Sequence, residues 1–273
     1  MFDRRKQLQV DGIDRVVNRG QITEAELLIL AQQRYVDAFC SSFFESHGLV
    51  IQDGLFQGMD YISEALGSAH LPKILGTYEN ELSEVLRQEF ARTDSFLQIG
   101  CAEGYYTVGA ARCHQVRVSV GVDIDHRAAI SVAKLAAKNG VREEVFFRKT
   151  IEEAVELLSG ATFVMVDVEG AEVQTLDQLF KLKRTGNFAN TGMRLLVETD
   201  FEYDEEFRDR LGANSNAIIN KCQDNGGKLE GRFAQDPSIK FTPLTADLSM
   251  LRRAALVYEG RHPNQEWLLF RFD

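Results

Sequence analysis

From Ser95 onward, short β-type runs and helix-compatible runs take turns along the chain. SFLQIG precedes Tyr105–Cys113, RVSVGVD precedes Ala128–Lys138, VFFRKT precedes Glu152–Leu158, TFVMVDV precedes Glu172–Leu182, and RLLVETD follows. Strands joined through helices are parallel neighbours, and the crossovers cover both faces of the sheet. The helical runs carry their own punctuation. Ala129, Val132, Ala133 and Ala136 form an apolar stripe that stops at Asn139-Gly140. Thr150 and Glu153 are spaced as a capping box in front of Ile151, Ala154, Val155 and Leu158. After Asp200 the alternation changes to a helix within Asp204–Asn225, a strand near Lys228–Phe233, a polar loop and a strand at Glu266–Phe270. The expectation is an α/β fold with a doubly wound, mostly parallel sheet of seven strands whose last pair is antiparallel.

The first ninety residues lack this alternation. Thr23 and Glu26 can form a capping box before Leu27, Ala31, Tyr35 and Ala38, which recur at helical spacing. A second helical stretch, Tyr78–Ala91, presents Leu82, Val85, Leu86 and Phe90 on one face. A boundary near Leu71 gives residues 1–70 as a helical N-terminal cap or dimerisation segment and 71–273 as the sheet domain. A chain of 273 residues, 44% hydrophobic, holds enough apolar surface for one large domain with such an appendage. No apolar run approaches the roughly 20 residues of a membrane helix, and MFDRRKQLQVDG has no apolar stretch behind its basic residues. No membrane partner is expected, and a cytoplasmic location is. Cys40, Cys101, Cys113 and Cys222 have spacings of neither a zinc site nor a disulfide scaffold. The formal charge of −10 disfavours a nucleic-acid partner and favours a small or neutral substrate.

In an open sheet of this kind ligands bind beyond the carboxyl ends of the strands, near the reversal of strand order. Gly100 and Gly104 stand at the first such end, where the backbone must turn and a ligand can approach closely. Asp123 ends the second strand, where a carboxylate suits the two hydroxyls of a ribose. The loop reads Gly-Cys-Ala-Glu-Gly and not GxGxxG, which weakens a pyrophosphate reading. Each residue also has a plainer use. The glycines suit a tight turn, Asp123 a solvated loop, and Glu103 and Glu172 the positive end of a helix.

The glycine loop, VGVDID, DVEGAE at Asp167–Glu172 and LLVETD, with PKILGTYENEL ahead of them, resemble the class I S-adenosylmethionine-dependent methyltransferases, specifically the FkbM-type family. The resemblance covers Pro72 to Phe270. It implies a Rossmann-like fold, S-adenosyl-L-methionine as cofactor, and O-methylation of a small-molecule acceptor such as a sugar or natural product. The implied cofactor-binding residues are Gly100, Cys101, Glu103, Gly104, Asp123, Ile124, Thr150 and Asp167, with Gly100, Glu103 and Gly104 along the methionine part and Asp123 on the ribose. Asp167 and Glu169 are the implied catalytic residues, facing the methyl group or the acceptor. Two positions depart from the family. Many members have an acid where this chain has Gln98, so a contact to the cofactor's ammonium has to come from elsewhere, Asp167 being the candidate. Many end the second strand in Glu-Pro where this chain has Asp123-Ile124-Asp125, and Asp125 can instead cap the next helix. The general base is Asp167, Glu169 or a histidine, and no metal is assigned. Two other functions stay open, a nicotinamide-dependent oxidoreductase and a nucleoside-binding module without catalysis, and a homodimer is compatible with each.

Overall fold

The computed structural model describes residues 24–66, 68–185, 192–199, 211–235, 242–259, 261 and 265–273. The chain divides into two compact units, Met1–Gly48 and Leu49–Asp273. In the first, α1 spans Glu24–His47, and Phe39, Phe43 and His47 stack in series at 5.5 and 4.2 Å, the contact that a four-residue spacing gives on a helix. Thr23, half of the expected capping box, lies outside the described residues.

The second unit holds a seven-stranded sheet in the order β3-β2-β1-β4-β5-β7-β6. Its strands are β1 (Ser95–Ile99), β2 (Val118–Val122), β3 (Val145–Arg148), β4 (Thr162–Val166), β5 (Arg194–Glu198), β6 (Gly227–Ala234) and β7 (Glu266–Phe272). The first five are parallel, and β7 runs antiparallel between β5 and β6. This is the expected doubly wound α/β fold, with the reversal of strand order at β1 and β4. Among the described residues no helix is long and apolar enough to cross a membrane.

The helices are α2 (His70–Leu75), α3 (Ser83–Ala91), α4 (Tyr105–His114), α5 (His126–Lys138), α6 (Ile151–Val155), α7 (Glu172–Arg184), α8 (Leu211–Asp224) and α9 (Met250–Leu256). α3, α4 and α5 pack in one layer and α6, α7 and α8 in the other. Alternation along the strands makes the two faces chemically different. Leu97, Ile99, Val120, Val164, Val166, Leu195 and Val197 meet α6, α7 and α8 in an aliphatic core. On the other face Phe96 and Phe163 stack at 5.5 Å beneath Phe90, which in turn meets Phe56.

Three expectations are corrected. Residues 49–69 belong to the second unit and, where described, are not helical, so the two compact units divide at 48/49 and not near Leu71. Val50 bridges Asp60, the Tyr61 N–H donates to the Leu49 carbonyl (2.7 Å), and Phe56, Met59, Tyr61 and Ile62 are buried without helical periodicity. The apolar face of α5 is Ala128, Ser131, Val132, Leu135 and Ala136, and Ala133 is exposed. Alanine and serine are small enough to sit on either side of a packed seam, so the stripe drawn through alanines was turned. The polar loop after β6 also contains α9, a helix the sequence pattern did not predict.

Candidate functional site

The turn after β1 is built almost wholly from backbone. Gly100 has φ 84°, and a Cβ there would overlap the Asp167 carbonyl oxygen, so only glycine lets the ends of β1 and β4 approach this closely. The approach is fixed by the Asp167 N–H, which donates to the Ile99 carbonyl (2.9 Å), and by the Gly100 and Cys101 N–H groups, which both donate to the Val122 carbonyl (2.8 and 3.0 Å). Ala102 follows at φ 46°, and its N–H donates to Asp123 Oδ2 (2.8 Å). The other oxygen of Asp123 accepts the Asp125 N–H (2.7 Å). Asp123 is thus a half-buried carboxylate held by two amides, with lone pairs remaining on both oxygens. Its neighbour Ile124 has 102% relative exposure, a large apolar side chain with no covering. Asp125 caps α5, accepting the Arg127 N–H (2.8 Å), and hydrogen bonds from Arg127 pull its carboxyl down to about 2. The structure therefore brings Gly100, Asp123, Ile124 and Asp167 to one end of the sheet and gives Asp125 the capping role.

Four other sequence-predicted residues have different employment. Glu103 is fully buried: it pairs with Lys73 and accepts the Tyr61 hydroxyl (2.5 Å) and the Leu66 N–H (2.9 Å). Burial alone would raise its pKa, but the Lys73 ammonium and these donors reverse the sign and hold it below the usual carboxylate range. Lys73 also lies over the Tyr78 and Tyr105 rings, so Glu103 belongs to a buried clamp under the turn and not to a surface a ligand can reach. Cys101 is buried with its Sγ toward Gly121, where an added Cβ would come within 2.7 Å, and burial pushes its thiol well up. The Thr150 hydroxyl caps α6, accepting the Glu153 N–H (3.3 Å), and the Glu153 carboxylate turns to the Lys149 N–H instead of completing the box. Gly104 has φ 93° and faces Val132 of α5, 2.9 Å from where its Cβ would be, so it serves the turn and the helix packing. Gln98 accepts from both the N–H (3.1 Å) and hydroxyl (2.7 Å) of Thr107, tying β1 to α4 where the family has an acid. Of the later acids, Glu172 is buried and accepts the Gly170 N–H (2.9 Å), a structural role. Glu169 is exposed at φ 52°, a backbone conformation that costs a non-glycine residue strain.

At the ends of β4 and β5 the construction is different. Asp167 and Glu198 are hydrogen-bonded, and Glu79, Glu81 and Glu259 join them from other segments around the Arg261 guanidinium. Arg261 Nη1 lies 2.5 Å from Glu81 and 3.9 Å from Glu259, and its Nε lies 2.9 Å from Glu198 Oε1. The Tyr106 hydroxyl donates to Glu79, whose own N–H donates to Glu259 (3.1 Å). Burial pushes Glu79 up to about 8, with Arg261 opposing and Asp167 and Glu259 adding. Burial likewise raises Glu198, and the neighbouring Asp167 adds to it. Among the described residues no group of three or more such ligands is arranged to hold a metal ion. Sequence reasoning singled out PKILGTYENEL without giving Glu79 or Glu81 a role, and nothing in the polar loop marked Glu259 or Arg261.

No family model matches the sequence, and no curated protein matches it. Solved structures do match, among them several methyltransferases. The tRNA methyltransferase TrmK (M1A22) of B. subtilis is 11% identical over 69% of this chain and 64% of its own, with TM-score 0.45. Precorrin-6y C5,15-methyltransferase of Geobacter metallireducens GS-15 is 9% identical over 71% and 88%, with TM-score 0.46. Geranyl diphosphate C-methyltransferase of Streptomyces coelicolor A3(2), in complex with Mg2+, geranyl diphosphate and S-adenosyl-L-homocysteine, is 15% identical over 70% and 76%, with TM-score 0.44. These are likenesses of fold, among proteins whose named substrates differ widely.

Proposed function

We propose that the protein is an S-adenosyl-L-methionine-dependent methyltransferase of the FkbM type that methylates an oxygen of a small-molecule acceptor in the cytoplasm. The observation that supports this reading is the meeting of the Gly100 turn, Asp123 and Asp167 at the reversal of strand order, where doubly wound sheets take nucleoside ligands. The residues fit the donor. Asp123 keeps free lone pairs for the ribose hydroxyls, the uncovered Ile124 offers an apolar surface to the adenine, and the acid-rich end at Asp167 suits the cationic part.

When bound, the donor supplies a methyl group already activated on a sulfonium. What the chain has to add is alignment and a proton acceptor. Asp167 and Glu169 are the proposed catalytic residues, Asp167 beside the Gly100 turn and Glu169 exposed just beyond it. Dimerisation through the first unit, whose α1 carries the half-buried Phe39 and Phe44, is part of the same reading and is checked by the mass of the full chain in solution.

Titration calorimetry with S-adenosylmethionine, S-adenosylhomocysteine and NAD tests the reading. Binding of both adenosyl compounds and not NAD supports it. Binding of NAD alone transfers the protein to the nicotinamide-dependent oxidoreductases, and binding of the adenosyl compounds without methyl transfer to any acceptor leaves a nucleoside-binding module.

A further inference from the structure

We infer that the outer border of β3 is a self-association surface, on which a second copy of this chain lays its own β3 antiparallel about a two-fold axis. The surface lies wholly in the second unit, uses no residue of α1 and does not depend on the methyl-donor reading.

β3 stands at the end of the sheet, with β2 as its only neighbour among the described strands. Free borders of this kind are commonly blunted by proline, by a bulge or by like charges. Here the run is Glu143-Glu144-Val145-Phe146-Phe147-Arg148-Lys149, with acids before the apolar residues and bases after them. Among the described residues none of these charges forms an ion pair within the chain. Laid parallel and in register, two such runs set acid against acid and base against base. Laid antiparallel, they set acid against base at both ends. The pattern therefore selects one direction of pairing, and a two-fold axis closes it at two copies.

The backbone selects the register. The Ser119 N–H donates to the Glu144 carbonyl (2.8 Å), so Glu144, Phe146 and Arg148 turn their amide groups to β2 while Val145 and Phe147 turn theirs outward. Two of the outward groups are already used. The Val145 N–H donates to the Val141 carbonyl (3.2 Å), and the Phe147 carbonyl accepts from Arg148 Nη1 (2.8 Å). The Phe147 N–H and the Val145 carbonyl remain, a donor and an acceptor on the same border. An antiparallel pair centred on Phe146 places Phe147 of each copy opposite Val145 of the other, so each remaining N–H meets a remaining carbonyl. The same register sets Glu144 opposite Arg148 and Glu143 opposite Lys149.

The side chains agree with this register on both faces of the sheet. Phe146 is half-buried against the aliphatic core, and across the axis it meets its own copy in the type of pair whose side chains come closest. On the other face Val145 and the half-buried Phe147 border an apolar groove of about 400 Å³, completed by Val132, Ala133 and Ala136 of α5 and by Arg142. Phe147 of the second copy, standing beside Val145 on this face, enters the groove, and the two-fold axis makes the exchange twice.

The test is the mass of the full chain by light scattering and sedimentation, for the wild type and two charge variants. The wild type is expected to associate at about 100 μM, a concentration that nearly fills a contact of micromolar Kd. Glu143→Lys with Glu144→Lys makes the border wholly basic, and Arg148→Glu with Lys149→Glu makes it wholly acidic. Each variant alone is expected to weaken association at least about tenfold, and an equal mixture of the two to restore it, because a basic border then meets an acidic one. Association that both variants retain is carried elsewhere, as through the first unit, and overturns the inference while leaving that contact standing. A monomeric wild type overturns it, and so does a mixture that stays apart. Where a double variant fails to fold, Glu143→Lys and Lys149→Glu, both at exposed positions, make the same comparison.

Discussion

At the ends of β1 and β2 the site is a shape held by amides, and at the ends of β4 and β5 it is a concentration of buried charge. The first uses a positive φ at Gly100, a carbonyl shared by two N–H groups and a carboxylate anchored at both oxygens. The second gathers side chains from before α3, after β4, the end of β5 and ahead of β7 around Arg261. The difference teaches how one site divides its work. A backbone turn gives geometry that is insensitive to pH, whereas clustered acids give a field that protons can alter.

Substitutions break the comparison in a definite order. Lys73→Met strands Glu103 as an unpaired buried charge beneath the turn, and a loss of about 3–5 kcal/mol is expected by urea denaturation. Because the folded pKa of Glu103 is depressed, the wild-type pair stabilises above the unfolded carboxylate value and that contribution disappears as pH falls through the folded one. The difference between wild type and variant therefore shrinks on acidification, and a difference that persists at low pH shows that Lys73 acts through packing alone. Arg261→Ala removes the guanidinium that pairs with Glu81 and Glu198, and a loss of about 3 kcal/mol is expected, partly recovered at low pH as the acids take up protons. Thermal melts of this variant at neutral and acidic pH that show the same deficit refute the charge account.

Asp123→Ala sharpens the comparison from the other end. Adenosyl binding is expected to weaken by about 1.5–3 kcal/mol, equally for the donor and its product, because the ribose is common to both. An unequal loss by calorimetry shows that the two ends are not separable. The smallest effect belongs to Ile124→Ala, where about 1 kcal/mol of binding is expected to go with no change in melting temperature, since the side chain is uncovered in the free protein. A fall in melting temperature without ligand shows that Ile124 is part of the fold.

The same division explains what the sequence discloses. Strand ends, the Gly100 turn and Asp123 depend on neighbours a few positions away and on the two-residue period of strands, so they are visible in a single line of residues. Asp125 and Thr150 are legible as caps for the same reason. Glu103 looks like a ligand residue until Lys73, thirty positions earlier, takes it into the interior. No local pattern marks such a pair, nor the gathering of Glu79, Glu259 and Arg261 through the fold. Residues 49–69 escaped for a related reason, since Phe56, Met59, Tyr61 and Ile62 are buried by distant partners such as Phe90, Tyr105 and Glu103, without the spacing of any regular element.

The placement of β7 between β5 and β6 has a consequence for synthesis. Among the described strands β6 has no neighbour except β7, which the ribosome makes later. Until β7 arrives, the parallel strands of the nascent chain have an unfilled border at β5, and β6 waits without its β7 partner. β6 meets that interval with Lys228, Glu230 and Arg232 facing water on alternate positions. Charges there discourage two unfinished chains from joining border to border before β7 slots in and closes the gap.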